Sequence, residues 1–273
     1  MLGDNCTEKL LIELDKGDET VFLAVLETME KLEKKLFLTQ NDLKFKLSCQ
    51  QDFVRAKNDI DSFSRSWIQA FEKDSCFYDV GSNVGSFSLY AAKLHGENFR
   101  AYAFELHYAS YATLCANIIS NGLGSRVIPL SMALSKDTGI GTAFFRSLDS
   151  GSALHQLDET VDYKGDIFSP ESQIRICKTT IDVLCSNLNF ETPRYLKIDT
   201  DGNEFDVLKG AEITLEESQT MEVLVEFVHH SDALERHQKL NDFMESCGFK
   251  VKGHSQPRLI SNLIVEDILF FKN

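Results

Sequence analysis

The stretch that most constrains the fold is Cys76-Phe77-Tyr78-Asp79-Val80-Gly81-Ser82-Asn83-Val84-Gly85-Ser86-Phe87. A short apolar run ends in a carboxylate and passes directly into glycines. An amphipathic segment, Phe87 to Leu94, follows at once. That order reads as strand, tight turn and helix. Gly81 and Gly85 let the backbone turn sharply and let a ligand approach it. The first turn of the following helix carries free amides and the positive end of the helix dipole. A dinucleotide-binding turn would read G-x-G-x-x-G/A. Asn83 and Ser86 occupy two of those glycine positions, which argues against a pyrophosphate ligand and a nicotinamide oxidoreductase.

The pattern present, D-x-G-x-N-x-G, resembles motif I of S-adenosylmethionine-dependent methyltransferases. The resemblance implies that Asp79 faces the cofactor ammonium and that the amides near Gly85 face its carboxylate, with Gly81, Ser82 and Asn83 shaping the turn. A second apolar run, Phe99 to Phe104, ends in Glu105. This acid lies about twenty residues past the turn, where α/β nucleotide-binding units place an acid on ribose hydroxyls. The segment Tyr195-Leu196-Lys197-Ile198-Asp199-Thr200-Asp201-Gly202-Asn203-Glu204 resembles the IKIDVEGxE signature of FkbM-type methyltransferases. Around it Ala133-Leu134-Ser135, Thr179 to Leu184, Val207 to Ala211 and Val225-Glu226-Phe227 resemble further FkbM segments in the family's order. The likeness spans roughly Phe77 to Lys272. It implies a class I methyltransferase fold: α/β, doubly wound, with a mostly parallel seven-stranded sheet and an antiparallel C-terminal strand. It also implies that Ser131, Met132 and Ala133 close on the adenine, beside Leu106. Two departures stand out. Leu106-His107 follows the ribose acid where many members have proline, and Asp201-Gly202-Asn203-Glu204 replaces the commoner Glu-Gly-x-Glu.

The 273 residues are 43% hydrophobic, enough for one large domain with an N-terminal extension. The expected division is a helical extension over 1–72 and a cofactor-binding domain over 73–273. A formal net charge of −14 disfavours duplex nucleic acid and an anionic membrane surface. Seven scattered cysteines form no C-x-x-C pair, so zinc-type spacing is absent. With no apolar leader or spanning run, the expectation is a cytoplasmic protein.

In the extension, Phe22, Val25, Met29, Leu32 and Leu36 form one helical stripe. It suits packing on the main domain, and a homodimer through these helices stays open. A second helix is expected over Asp52–Phe71, with Trp67 in the core or in a wall over the cofactor. Beyond Cys76 the chain alternates strands (77–80, 99–104, 126–131) with helices (86–95, 109–121), the pattern of crossover units. The span from Ser147 to Ser172 is a long irregular loop placed to select the acceptor. His155 and Tyr163 lie in it, and His155 reads as solvated. Later strands are expected at 174–178, 194–199, 221–228, 249–252 and 267–271, and a helix at 232–247.

Asp79, Glu105, Ser131, Asp199 and Glu226 close five expected strands, the edge where open α/β sheets bind ligands. Methyl transfer depends chiefly on alignment, with effective molarity contributing ~7–11 kcal/mol. A hydroxyl acceptor also needs a base, worth about 10²–10⁴-fold. The candidate bases are Asp199, Glu226, His229 and Lys197; of these Asp199 is preferred for placing the acceptor and the methionine end of the cofactor, Lys197 and Glu226 as acceptor contacts, and His229, beside His230, as the base. Lys197 equally suits an ion pair with Asp199 or Glu226. Asp199, Asp201 and Glu204 could hold Mg²⁺, but three acids also suit a helix N-terminus, and the resemblance requires no metal. The expected activity is O-methylation of a small-molecule or glycan-like acceptor with S-adenosylmethionine, giving S-adenosylhomocysteine. A non-catalytic cofactor-binding protein of the same fold is the alternative.

Overall fold

The structure, a computed structural model, describes residues 27, 28, 31, 36–161, 166–229, 233–260 and 263–273. Most of the stripe expected around Phe22 to Leu32, together with Tyr163, His230 and any dimer contact through that helix, lies outside the described residues. Leu36, the last stripe residue, is exposed and precedes a hairpin of β1 (Phe37–Gln40) and β2 (Leu43–Lys46). The extension is therefore not helical throughout. The helix expected over 52–71 is also two helices, α1 (Gln50–Asn58) and α2 (Ser62–Gln69). Asp61 makes the break, since its side chain caps α2 by accepting from the Ser64 amide at 2.7 Å.

The main sheet contains β3 (Cys76–Val80), β4 (Arg100–Phe104), β5 (Val127–Leu130), β10 (Tyr195–Ile198), β11 (Met221–His229), β12 (Lys250–His254) and β14 (Leu263–Lys272). Their spatial order is β12-β14-β11-β10-β3-β4-β5. The pairs from β11 to β5 are parallel, and β14 runs antiparallel to both β11 and β12. This is the expected seven-stranded path. An eighth short strand, β13 (Arg258–Ile260), adds to β14. The chain runs outward from β3 through β4 to β5, then returns to lay β10 on the other side of β3. That reversal creates a crevice at the carboxyl ends of β3 and β10.

A second sheet was not expected. β6 (Ala133–Leu134), β7 (Gly139–Phe145), β8 (Gln156–Leu157) and β9 (Ser172–Thr179) pair in the order β6-β9-β7-β8. It absorbs the two runs near 141–146 and 174–178 and flanks the crevice. The remaining helices are α3 (Ser86–His95), α4 (Tyr108–Ser120), α5 (Ile181–Asn187), α6 (Glu204–Lys209), α7 (Glu212–Glu217) and α8 (Ala233–Ser246). Among the described residues, no helix is long and apolar enough to cross a membrane.

Strand alternation divides the core between the two faces of the sheet. Tyr78, Phe104, Ile198 and Val225 pack with Leu184, Leu208 and Met244 on one face. Phe77, Ala101, Ala103 and Leu224 pack with Leu89 and Leu114 on the other. The second cluster also contains Leu43, Phe45, Trp67, Ile68 and Phe71, so the segment before Cys76 shares the sheet's core. Phe71 stacks on Tyr195 with centroids 3.8 Å apart, and Trp67 donates from its indole to Glu222 Oε2 at 2.8 Å.

Candidate active site

The turn after β3 is clamped from both sides. The amides of Gly81 and Ser82 donate to the Phe104 carbonyl at the tip of β4, each at 3.0 Å. On the β10 side, a Cβ at Gly81 would lie 1.8 Å from the Asp199 carbonyl oxygen, and the residue has φ of +77°. Only glycine fits there. Asn83 follows in the left-handed region, with its amide aimed at Glu105 Oε2 at 2.7 Å. Glu105 Oε1 accepts from the His107 amide at 2.6 Å. Two backbone donors thus fix the acid expected on the ribose. A proline at 107 would lack the second donor. Burial pushes the Glu105 carboxyl up to about 7 even against these two bonds.

Beside Glu105 opens a cavity of about 780 Å³. Gly81, Ser82, Asn83, Glu105 and Leu106 line one end. Met132 and Ala133 form part of its wall. Lys197, Asp199, Asp201, Glu226, Arg258 and Asp267 line the other end. Gln51, Val54 and Arg55 of α1 cover it, together with the loop from Arg146 to His155. The long loop thus borders the cavity, where a selecting loop was expected.

Three expected cofactor residues stand outside the cavity. Asp79 shares the Phe77 face of β3, which α3 covers, so its carboxylate turns under the helix and not over the sheet edge. It is fully buried, and its Oδ2 accepts from the Ser88 amide and hydroxyl at 3.1 and 2.6 Å. Gly85, with φ of +93°, caps α3 and packs on Leu114. Ser131 is exposed beyond β5. His229 ends β11 opposite Ile264, and its side chain lies outside the described residues.

At the far end Lys197 is buried between acids. Its Nζ lies 3.0 Å from Asp199 Oδ2 and 3.7 Å from Asp79 Oδ1, and 4.6 Å above the Phe87 ring. Parallel register places Lys197 opposite Asp79 on β3. Burial opposes the ammonium charge, but Asp199 and Asp79 outweigh it and hold the pKa above the usual lysine value. Lys197 therefore stays charged at neutral pH. For Asp199, burial is outweighed by Lys197 and the carboxyl sits low. Glu226 is pushed well above the usual carboxylate range by burial and by Asp199 and Asp267, and it hydrogen-bonds Asp199. Asp201, at φ of +57°, is raised to about 7 by burial and by Asp199. Its Oδ2 accepts from the Leu154 amide at 2.6 Å, which ties the acidic turn to the long loop.

The acidic cluster also differs from expectation. Glu204 turns back to cap its own turn, accepting from the Thr200 and Gly202 amides at 3.0 and 2.9 Å. Glu226 takes its place: Asp199, Asp201 and Glu226 bring carboxylate oxygens within 4.8 Å of one another. His155 is not solvated. It is buried, stacks on His107 with centroids 4.4 Å apart, accepts from the Arg146 amide at Nδ1 and donates to Ser152. Burial and the neighbouring His107 lower its pKa to about 3. Arg55, Arg258 and Asp267 were not anticipated. Each comes from an element with no motif of its own, and only the fold brings it to the cavity.

A parallel sheet of this order, closed by one reversed strand and carrying a cavity at its switch point, is the class I methyltransferase architecture. Within that class the chain belongs to the FkbM methyltransferase family: the family described as Methyltransferase FkbM domain matches residues 79–251. The chain is similar to Methyltransferase 1 of Beauveria bassiana, at 25% identity over 52% of this chain and 61% of that protein. It is similar to the hexuronic acid methyltransferase AglP of Haloferax volcanii, at 27% identity over 58% of this chain and 57% of that protein. It thus spans about three-fifths of the length of these curated relatives. Among solved structures it is similar in fold to an FkbM methyltransferase from Methylobacillus flagellatus, with TM-score 0.50 and 17% identity, covering 76% of this chain and 46% of that one.

Proposed function

We propose that the protein transfers a methyl group from S-adenosylmethionine to a hydroxyl of a glycan-like or small-molecule acceptor. The observation that carries this reading is the single cavity joining Glu105 to the Lys197–Asp199–Asp201–Glu226 cluster. Its two ends suit two different ligands. At one end, Glu105 sits buried with both oxygens anchored by amides, and each oxygen keeps a lone pair for a ribose hydroxyl. Gly81, Ser82 and Asn83 present backbone there, and Asn83 Oδ1 is buried without a protein partner. Met132, Ala133 and Leu106 offer the apolar surface an adenine needs. When bound, the cofactor supplies an electrophilic methyl on a sulfonium.

The other end handles the acceptor. Lys197 keeps Asp199 charged and fixed. Burial biases Glu226 toward the protonated donor form and Lys197 keeps Asp199 toward the ionised acceptor form, so the pair can hold a hydroxyl in one orientation. Asp201, poised near neutrality, takes the hydroxyl proton on its carboxylate. The name of the Haloferax relative, a hexuronic acid methyltransferase, supports a glycan-like acceptor.

Calorimetry with S-adenosylhomocysteine tests the cofactor end. Micromolar binding, no binding of NAD, and a loss of about tenfold or more in Glu105→Gln are the expected results. Unchanged affinity in that variant removes Glu105 from the ribose. Labelled-methyl transfer to a panel of hydroxylated sugars tests the acceptor end, and cofactor binding without turnover on any acceptor would favour the non-catalytic reading.

A further inference from the structure

Behind the strands that carry Glu226 and Asp267 lies a second cluster of ligating groups. Strand alternation sends Glu266 and Phe227 to the sheet face opposite their neighbours Asp267 and Glu226, and register pairs them across β14 and β11. His237 of α8 packs edge-on to Phe227, with centroids 5.4 Å apart. His254, at the end of β12, lies parallel to His237 within 14°. One ligand atom from each of His237, His254 and Glu266 falls within 4.8 Å of the other two.

We propose that His237, His254 and Glu266 bind a zinc ion that fastens α8 to the β12–β14 edge. Two histidines and a carboxylate form an established zinc donor set, with solvent completing the tetrahedron. His254 Nδ1 and Glu266 Oε2 are 3.6 Å apart, too far for a hydrogen bond. Bond lengths of about 2.0–2.2 Å in a tetrahedron put neighbouring donors roughly 3.4 Å apart, close to that gap. Asn241 supplies the independent observation. Its Nδ2 faces His237 Nδ1 at 3.1 Å, while its Oδ1 is buried without a partner. Turning the amide over lets Oδ1 accept the Nδ1 proton. That arrangement pairs the oxygen, moves the amide nitrogen to where the oxygen stood, and leaves the His237 Nε2 lone pair free for metal. It is the outer-shell contact that metal-bound histidines use to fix their tautomer.

The test uses the full chain, stripped by chelation and desalted, and titrated with Zn²⁺ against a chromophoric chelator. One equivalent should bind to the wild type, with a rise in Tm. His254→Gln and Glu266→Gln should each remove that equivalent, and Asn241→Leu should weaken it about 10–100-fold. Asp199→Asn should leave it unchanged, which separates this site from the acidic cluster in the cavity. Co²⁺ loading of the wild type should give tetrahedral absorption bands, a readout that needs no variant to fold. Absence of a wild-type equivalent, or wild-type affinity in His254→Gln, would overturn the proposal.

Discussion

Lys197 shows how a single side chain can be read from sequence by type and only from structure by role. Its position two residues before Asp199 is plain in the chain, but Asp79 joins it only through the parallel register of β10 on β3. Held between two carboxylates, Lys197 is a fixed positive charge and not a proton acceptor. In the proposed mechanism the proton-accepting role falls to Asp201, whose pKa near 7 matches a general base at physiological pH. Asp201→Asn makes a clean test, because asparagine tolerates the left-handed backbone and keeps an oxygen for the Leu154 amide. The expected result is a fall in kcat of about 10²–10⁴-fold with S-adenosylhomocysteine affinity preserved. A kcat within twofold, roughly, of wild type would remove Asp201 from proton transfer.

At the scale of elements, the cavity is covered by α1 and by the loop from Arg146 to His155, and the two are joined. Arg55 Nε donates to the Gly151 carbonyl at 3.0 Å, and Cys49 Sγ to the Ser150 carbonyl at 3.0 Å. Gly151 has φ of +74°, and a Cβ there would lie 2.8 Å from the Gln51 carbonyl carbon. Gly151→Ala should therefore part loop from helix at a cost of about 1–3 kcal/mol in urea unfolding. Acceptor KM should rise several-fold, while S-adenosylhomocysteine affinity changes less because Glu105 is held by other amides. An unchanged KM would show that this contact does not shape the acceptor end. Length and composition mark residues 147–172 as a loop, but the pairing of β8 with β7 that anchors it could not be read from so short a strand.

The whole molecule concentrates acids in its interior, and this sets its response to pH. Glu105 and Asp201, each raised to about 7, and Glu226, also raised, hold protons in the fold at pH values where the unfolded chain has already released them. Stability rises with pH only where the unfolded state binds more protons, so here it must fall. The buried histidines His95, His107 and His155 oppose this trend until about pH 7.5, because unfolded histidine is half protonated at about pH 6.5 and becomes as neutral as they are only a unit higher. The Tm of the cofactor-free protein should decline from about pH 7.5 to about 8.5, and Glu226→Gln should flatten the decline. A Tm that climbs over this interval would contradict the assigned protonation states. The sequence alone determined the seven-stranded main sheet, the family and the cavity-lining residues Gly81, Asn83, Glu105, Lys197, Asp199 and Glu226. Periodicity, glycine turns and acids at strand ends are local signals, and a parallel sheet gathers strand ends onto one edge. Only the tertiary structure decided that Asp79 is buried under Ser88, that Glu226 replaces Glu204 in the acid cluster, that α1 covers the cavity, and that His237, His254 and Glu266 meet. Those outcomes depend on which face of a strand or helix is covered and by what, and sheet register and packing fix that between residues distant in the chain.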